Sequence, residues 1–155
     1  SILVYATKDP DRQQGDLTSV LEQESQTDVV QSLKIMKTEL LNNKSSLLKL
    51  LVDIKKSGKR VIGIGAPMKA STLLNFYGVT PDLVEYIAEV NQLKIGTLVP
   101  GVRIPVIDEK LVFHDPPDYA ILLSWNMADR IISNYRSMGY NGKFILPVPE
   151  VRVIE

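Results

Sequence analysis

The stretch most suggestive of chemistry is GIGAPMKASTLLN, residues 63–75, which follows a short apolar run. A strand, a glycine turn and a helix in this order are typical of nucleotide-binding α/β proteins, in which free backbone N–H groups at the start of the helix bind phosphate. Lys69 adds a compact positive charge within the same stretch. These residue types therefore predict a surface that faces a phosphate or a nucleotide.

Neither common phosphate-binding pattern is complete here. Lys69 has no glycine before it and no Ser or Thr directly after it, which argues against the Mg·ATP pattern GxxxxGK[ST]. Gly63 and Gly65 fit the dinucleotide pattern GxGxxG, but Met68 stands at its third glycine. Glu89 lies roughly 20 residues further on, where that pattern places an acid for the ribose. The alternative is that the two glycines only allow a tight turn.

Composition removes several classes of function. The 155 residues include 18 basic and 18 acidic side chains, so the chain lacks the basic excess that a nucleic-acid partner normally requires. No apolar run approaches the roughly 20 residues of a membrane helix. There is no cysteine and only one histidine, His114, so an ordinary zinc site cannot be built. We expect a cytoplasmic domain with no metal, no membrane partner and no nucleic-acid partner.

The residues before the glycine turn predict a stray strand and a long helix. Residues 1–8 have the β-branched and aromatic content of a strand, but the polar loop over residues 9–16 separates them from the rest. This suggests a fragment of a longer protein, with the strand displaced from its sheet. Over residues 28–56, Thr27 or Asp28 can cap a helix whose apolar residues mostly recur every three or four positions, namely Val29, Leu33, Met36, Leu40, Leu47, Leu51 and Ile54.

After Gly58 the chain alternates between strands and helices, which predicts a mainly parallel, Rossmann-like sheet flanked by helices. Strands are expected at residues 60–65, 83–90, 103–107, 118–124 and 143–148, and helices at 68–77, 108–113 and 126–138. The fold class is therefore α/β, with the long helix and the stray strand preceding the sheet. Residues 91–101 form a long loop in this prediction.

Four segments carry a more specific signal than the pattern alone. They read GIGAPMKASTLLNFYGV, YIAEVNQLKIGTLVPGVRIPV, PDYAILLSWNMADRII and GKFILPVPEV. In order and spacing they resemble the C-terminal domain of S-adenosylmethionine-dependent sugar C-methyltransferases, over residues 55–151. The matching residues include Gly65, Ala66, Pro67, Lys69, Asn75, Asn91, Lys94, Trp125 and Asn126. Glu89 replaces the usual Asp, and Ala70, Ser71 and Gln92 also depart from the family pattern.

The resemblance implies a division of labour between domains. That family alkylates a carbon of a nucleotide-linked sugar, and it binds S-adenosylmethionine and keeps its catalytic Glu, His and Tyr in a preceding methyltransferase domain. The resemblance thus implies no catalytic residue and no cofactor site in this chain. Its partners would be the upstream methyltransferase domain of the same polypeptide and the nucleotide-sugar substrate. Residues 1–25 would be the tail of that domain with its connector, and residues 26–155 the Rossmann-like domain.

The substrate-facing residues expected on this basis lie mostly at strand ends, where α/β sheets bind ligands. They are Gly65, Ala66, Pro67, Lys69, Asn75, Glu89, Asn91, Lys94, Trp125 and Asn126. Four of them also have an ordinary structural explanation, in which Trp125 fills a core, Asn126 caps a helix, and Lys69 and Lys94 are solvated surface residues. Two other functions stay open, namely a small nucleotide- or CoA-binding regulatory domain and a structural module that forms homodimers.

Overall fold

The computed structural model describes residues 8–9 and 17–155, and it divides at residue 38 into two units. The predicted strand over residues 1–8 falls outside the described residues except for Lys8, and so does most of the loop over residues 9–16. The expected domain boundary at residue 25 stays a prediction. Helix α1, Leu17–Ser25, lies within the segment that was expected to be a connector.

The first unit contains α1 and the beginning of α2, the long helix Val29–Lys56. Asp28 caps α2, because its Oδ1 accepts the N–H of Gln31 at 2.9 Å. This confirms the predicted start of the helix. Seven large apolar side chains among the described residues of this unit are exposed, unlike those of a packed core, namely Val20, Leu21, Val29, Val30, Leu33, Ile35 and Met36.

In the second unit, the end of α2 supplies core residues. Leu47, Leu51 and Ile54 are buried and share one helix face, as their spacing predicts. Lys55 and Lys56 occupy the last turn, where cations interact favourably with the helix dipole. Only the second half of the predicted apolar stripe is therefore core, because Val29, Leu33 and Met36 are exposed and Leu40 is half-buried.

One six-stranded sheet organises the second unit. Its strands are β1 Val61–Ile64, β2 Ile87–Glu89, β3 Val106–Asp108, β4 Tyr119–Leu122, β5 Lys143–Leu146 and β6 Arg152–Ile154. Their order is β3-β2-β1-β4-β5-β6, and β1 to β5 are mutually parallel. The α/β fold and its mainly parallel sheet are thus confirmed. Strand β6 was not predicted, and it pairs antiparallel with β5.

The shorter helices connect these strands. They are α3 Met68–Tyr77, α4 Lys110–His114, a 3₁₀ turn Trp125–Met127, and α5 Ala128–Ser137. The bounds of α3 agree with the prediction, and Gly78 ends it at φ 75°. The helix expected from residue 126 begins instead with the 3₁₀ turn. The strand expected over residues 83–90 is only three residues long, because Leu83 and Val84 still donate to Thr80 in a helical turn.

The core lies on both faces of the sheet. Leu47, Leu51, Leu74 and Tyr77 of α2 and α3 cover one face together with residues of the strands. On the other face, Tyr135 of α5 packs with Tyr140 and Phe144, whose rings approach edge-on at centroid distances of 5.2–6.3 Å. The two helical layers leave the carboxyl ends of the central strands open between them.

The strand order places a topological switch point between β1 and β4. The chain leaves β1 for β2 on one side and returns from β3 to β4 on the other, so the two connections diverge there. Crevices at such points are where open α/β sheets bind ligands. The connections on either side of β3 contain little helix: a loop joins β2 to β3, and α4, between β3 and β4, is only five residues long.

Candidate functional site

The turn after β1 requires glycine at residue 65. Gly65 has φ 80°, a left-handed conformation that side-chain-bearing residues rarely adopt. A Cβ built on it would lie 2.6 Å from the Ser124 Oγ of the β4 end. The N–H of Gly65 donates to the Ala88 carbonyl at 2.8 Å, which fixes the turn against β2. The glycine thus brings the ends of β1, β2 and β4 together.

The backbone N–H and the carbonyl of Ala66, the next residue, both form hydrogen bonds within the protein. Its N–H donates to Glu89 Oε2 at 2.8 Å, and its carbonyl accepts Lys94 Nζ at 2.8 Å. Lys94 Nζ also lies 3.7 Å from Glu89 Oε2. We call these three residues, Ala66, Glu89 and Lys94, the clamp. Because of the clamp, the Ala66 N–H could donate to a ligand phosphate only if its hydrogen bond to Glu89 were broken.

Glu89 is buried, with 8% of its surface exposed. Its Oε1 accepts the N–H groups of Val90 at 2.9 Å and Asn91 at 3.0 Å. Burial alone would raise the pKa of this carboxyl, but the three backbone donors and Lys94 outweigh burial and hold the pKa below its usual value. The carboxylate is therefore ionised and accepts three internal hydrogen bonds, and its substrate role stays a prediction.

Asn91 shapes the loop that follows β2. Its Oδ1 accepts the N–H of Leu93 at 3.0 Å, an Asx turn that carries the chain towards Lys94. The Lys94 carbonyl then accepts the Thr97 hydroxyl at 2.6 Å. Two residues expected to face substrate, Asn91 and Lys94, thus also fix the loop between β2 and β3.

A second cluster forms where α3 begins beside the end of β4. Lys69 Nζ lies 4.0 Å from the centroid of the Trp125 ring and donates to Asn126 Oδ1. Pro67 precedes the helix without a side-chain cap, and as first residues of α3, Met68 and Lys69 have no intrahelical acceptor for their N–H groups. Lys69 and Trp125 are half-buried. Lys69, Trp125 and Asn126 thus lie in contact, and their role in substrate binding stays a prediction.

Asn75 lies apart from these residues, on the last turn of α3, roughly 10 Å along the helix axis from its start. Its Nδ2 donates to the carbonyls of Ser71 and Pro100, both at 2.8 Å. Gly101, at φ 84°, leaves room for the Asn75 amide, which a Cβ there would meet at 2.0 Å. In this arrangement Asn75 fastens the loop after residue 97 to α3.

Two cavities open on either side of Pro67. One, of about 570 Å³, lies between α3 and the loop after β2 and is mostly apolar, with Met68, Leu93 and Leu98 at exposed positions. The other, of about 470 Å³, lies between the ends of β1 and β2 and helix α5. We call the second the crevice. Its polar lining comes from Glu89, Lys94, Glu109, Ser124, Arg130, Asn134 and Tyr135.

Several lining residues of the crevice were not predicted from the sequence. Glu109 directly follows β3, and its Oε2 accepts the Tyr135 hydroxyl at 3.2 Å. Burial, and secondarily the nearby Glu109 charge, raise the pKa of Tyr135, so the phenol stays a donor. The available signal was positional, since Glu109 directly follows β3 at the sheet edge where Glu89 ends β2. Arg130 and Asn134 are four residues apart on α5 and therefore neighbours on one helix face.

Two other kinds of site are absent from residues 8–9 and 17–155. Across this range, His, Asp and Glu side chains form no group of three that could hold a metal ion. No helix within the same range is long and apolar enough to cross a bilayer.

Comparison with known proteins gives two matches. Residues 1–149 match the family model of the C-methyltransferase C-terminal domain. The chain is also 38% identical over 112 residues to the C-methyltransferase NovU of Streptomyces niveus, an alignment that covers 72% of this chain and 27% of that relative. The matched region is thus a minor part of the relative's length.

Proposed function

The chain belongs to the family of C-methyltransferase C-terminal domains, and from this premise we propose a non-catalytic role in substrate binding. In this proposal the domain completes the substrate cleft of an S-adenosylmethionine-dependent C-methyltransferase that acts on a nucleotide-linked sugar. The upstream methyltransferase domain supplies the cofactor site and the catalytic groups. The domain described above supplies one wall of the cleft.

The observation that carries this proposal is the cluster of Lys69, Trp125 and Asn126 at the strand ends. An ammonium group pairs with a phosphate as a point charge, and an indole offers a flat apolar face to a base or a sugar ring. Lys69 Nζ lies over the Trp125 ring, 4.0 Å from its centroid, so a phosphate that draws the ammonium aside would uncover this face of the indole. A nucleotide-sugar has a charged diphosphate between two rings, and this pair of groups suits it.

The state of Glu89 supports the non-catalytic part of the proposal. Removal of a proton from a carbon needs a base whose pKa lies near the working pH. Burial alone would raise the pKa of Glu89, but its internal donors lower it, which makes the carboxylate a weak base. Both of its oxygens also accept backbone N–H groups. Glu89 thus suits a positioning role in the turn.

Lys69→Ala is expected to weaken substrate binding by about 1–2 kcal/mol, which is the scale of a partly solvated charge-assisted bond. The measurement is the KM for the nucleotide-sugar in the complete enzyme. Lys59→Ala is the matched control, because Lys59 Nζ also lies over an aromatic ring, that of Tyr119, but at the amino end of β1. Unchanged KM and kcat in Lys69→Ala would mean that the cluster is only scaffold.

The 155-residue chain by itself is expected to bind no S-adenosylmethionine and to transfer no methyl group, since the proposal places both functions upstream. Isothermal titration calorimetry of the chain with S-adenosylmethionine tests this directly. Tight binding at one cofactor per chain would contradict the proposed division of labour between the domains.

A further inference from the structure

We propose that the crevice binds the hydroxyl-bearing ring of a sugar phosphate or nucleotide, with Glu109 accepting the ring hydroxyls and Arg130 pairing with the attached phosphate. The class of ligand, a sugar derivative, rests on the proposed function. The position at which the ligand binds rests on the crevice itself. The proposal assigns the recognition of the ring to Glu109, a residue that the dinucleotide pattern does not identify.

The crevice has the size and position of a ligand site. Its volume of about 470 Å³ falls within the range of roughly 300–1,000 Å³ that is typical of small-molecule pockets. It lies at the ends of β1 and β2, and Ser124, just after β4, also lines it, so it adjoins the switch point between β1 and β4. Ile131 of α5 and the flanking residues Met127 and Met138 line one wall and offer apolar contact to the C–H face of a ring.

Glu89, the acid at the position expected for ribose binding, already accepts several internal hydrogen bonds. Its two oxygens accept three backbone N–H groups, and Lys94 lies 3.7 Å from one of them. A ring hydroxyl would therefore share the carboxylate with these donors, since about four lone-pair sites are available in all. The same contacts occupy the Ala66 N–H, so the glycine turn offers no free donor at that position to a phosphate.

Unlike Glu89, Glu109 has one carboxylate oxygen that accepts no hydrogen bond from the described residues. Its backbone N–H donates to the Glu89 carbonyl at 3.1 Å, which ties the end of β3 to the end of β2. Its Oε2 accepts the buried Tyr135 hydroxyl, while its Oε1 receives no hydrogen bond from the described residues. Tyr135 thus orients the carboxylate, and the second oxygen remains available to a ligand hydroxyl.

Arg130 and Asn134 complete the arrangement from α5. Both side chains line the crevice, and both are exposed residues at its solvent side. Within residues 8–9 and 17–155, Arg130 forms no ion pair with an acidic side chain. A guanidinium group binds phosphate with two parallel hydrogen bonds, and an amide can both donate to and accept from a hydroxyl. The ring would lie between Glu109 and Asn134, with its phosphate towards Arg130.

The test is an NMR titration of the isotope-labelled chain with four probes: uridine, uridine 5′-monophosphate, methyl glucoside and inorganic phosphate. We expect crevice residues to shift with ring-bearing probes, and the preference between uridine and methyl glucoside identifies the ring as a nucleoside or a hexose. Glu109→Gln should weaken binding of the preferred ring about tenfold, because a charged acceptor becomes neutral. Arg130→Gln should weaken the binding of uridine 5′-monophosphate but not the binding of uridine.

Asp129→Asn is the matched control, since Asp129 lies on α5 but does not line the crevice, and it should bind like the wild type. If Glu109→Gln fails to give a folded spectrum, Asn134→Ala on the exposed side replaces it and should weaken all ring-bearing probes. Inorganic phosphate that shifts the crevice as strongly as the monophosphate would overturn the proposal, and so would no binding at all.

Comparison with Lys69→Ala separates this inference from the proposed function. If Lys69→Ala weakens binding and Glu109→Gln does not, the ring lies at the cluster of Lys69 and Trp125, and only the inference about the crevice fails. If neither substitution changes binding, both the inference and the proposed substrate surface fail.

Discussion

Glu89→Ala is expected to lower the free energy of unfolding by about 3 kcal/mol. The substitution removes three charge-assisted hydrogen bonds and leaves the N–H groups of Ala66, Val90 and Asn91 without their acceptor. Chemical denaturation in urea measures the change as a shift of the midpoint at constant slope. The loss should be large because Glu89 is buried and its three donors belong to two separate segments.

Two other substitutions serve as comparisons for Glu89→Ala. Glu155→Ala removes an acid whose partner, Lys143, is also at the surface, and it should change stability little. Lys94→Met should lower the free energy of unfolding less than Glu89→Ala does, since 42% of the Lys94 side chain is exposed. If Glu89→Ala is as mild as Glu155→Ala, the clamp does not stabilise the turn.

The same contacts predict how the effect depends on pH. Burial raises the pKa of Glu89, but its hydrogen bonds outweigh burial, so the folded-state pKa lies below the usual value of 4.5. The stabilisation is therefore fully present above about pH 4.5 and is lost as the pH falls through the folded-state pKa. The difference in unfolding free energy between wild type and Glu89→Ala should accordingly shrink below pH 4.5.

Gly65→Ala is expected to destabilise the fold by about 2–3 kcal/mol. Alanine at φ 80° costs roughly 1–2 kcal/mol of backbone strain. The new Cβ would also meet the Ser124 Oγ at 2.6 Å, so the Ser124 side chain or the backbone after β4 must shift. Thermal or urea unfolding measures the total, and this shift should also disturb the amide signals of Ser124 and Trp125.

Gly78→Ala is the matched control for this substitution. Gly78 has a similar φ of 75°, but nothing lies within 4 Å of the Cβ position, so only the backbone strain applies. The difference between the two variants isolates the close approach of β1 and β4. Equal losses would mean that Ser124 moves aside without cost.

Local signals explain the parts of the fold that the sequence predicted. Pro67 and Gly78 mark the ends of α3 because one lacks an N–H and the other tolerates a left-handed backbone. The apolar runs of β1 and β4 are buried on both faces, as parallel strands require. Since β1 and β4 end at the same sheet edge, Lys69 and Trp125 could be expected to meet.

The rest depended on contacts that no local pattern encodes. The spacing after Gly65 identifies Glu89 as a strand-end acid, but only the fold reveals that Ala66, Val90 and Asn91 already occupy it. Strand β6 is three residues long and too short for a periodic signal. Val29 has the spacing of a core residue and is nevertheless exposed. Glu109 had only a positional signal in the sequence, and its contact with Tyr135 is what makes it a candidate.

The position of Trp125 has a practical consequence. It is the only tryptophan in the sequence, and its ring lies 4.0 Å from the Lys69 ammonium at the proposed substrate surface. Fluorescence excited selectively at the indole therefore originates from this surface alone, without contribution from the six tyrosines. A ligand that draws Lys69 away from the ring changes the electric field on the indole and hence its emission. The chain thus contains its own optical probe, and ligand libraries can be screened without a label.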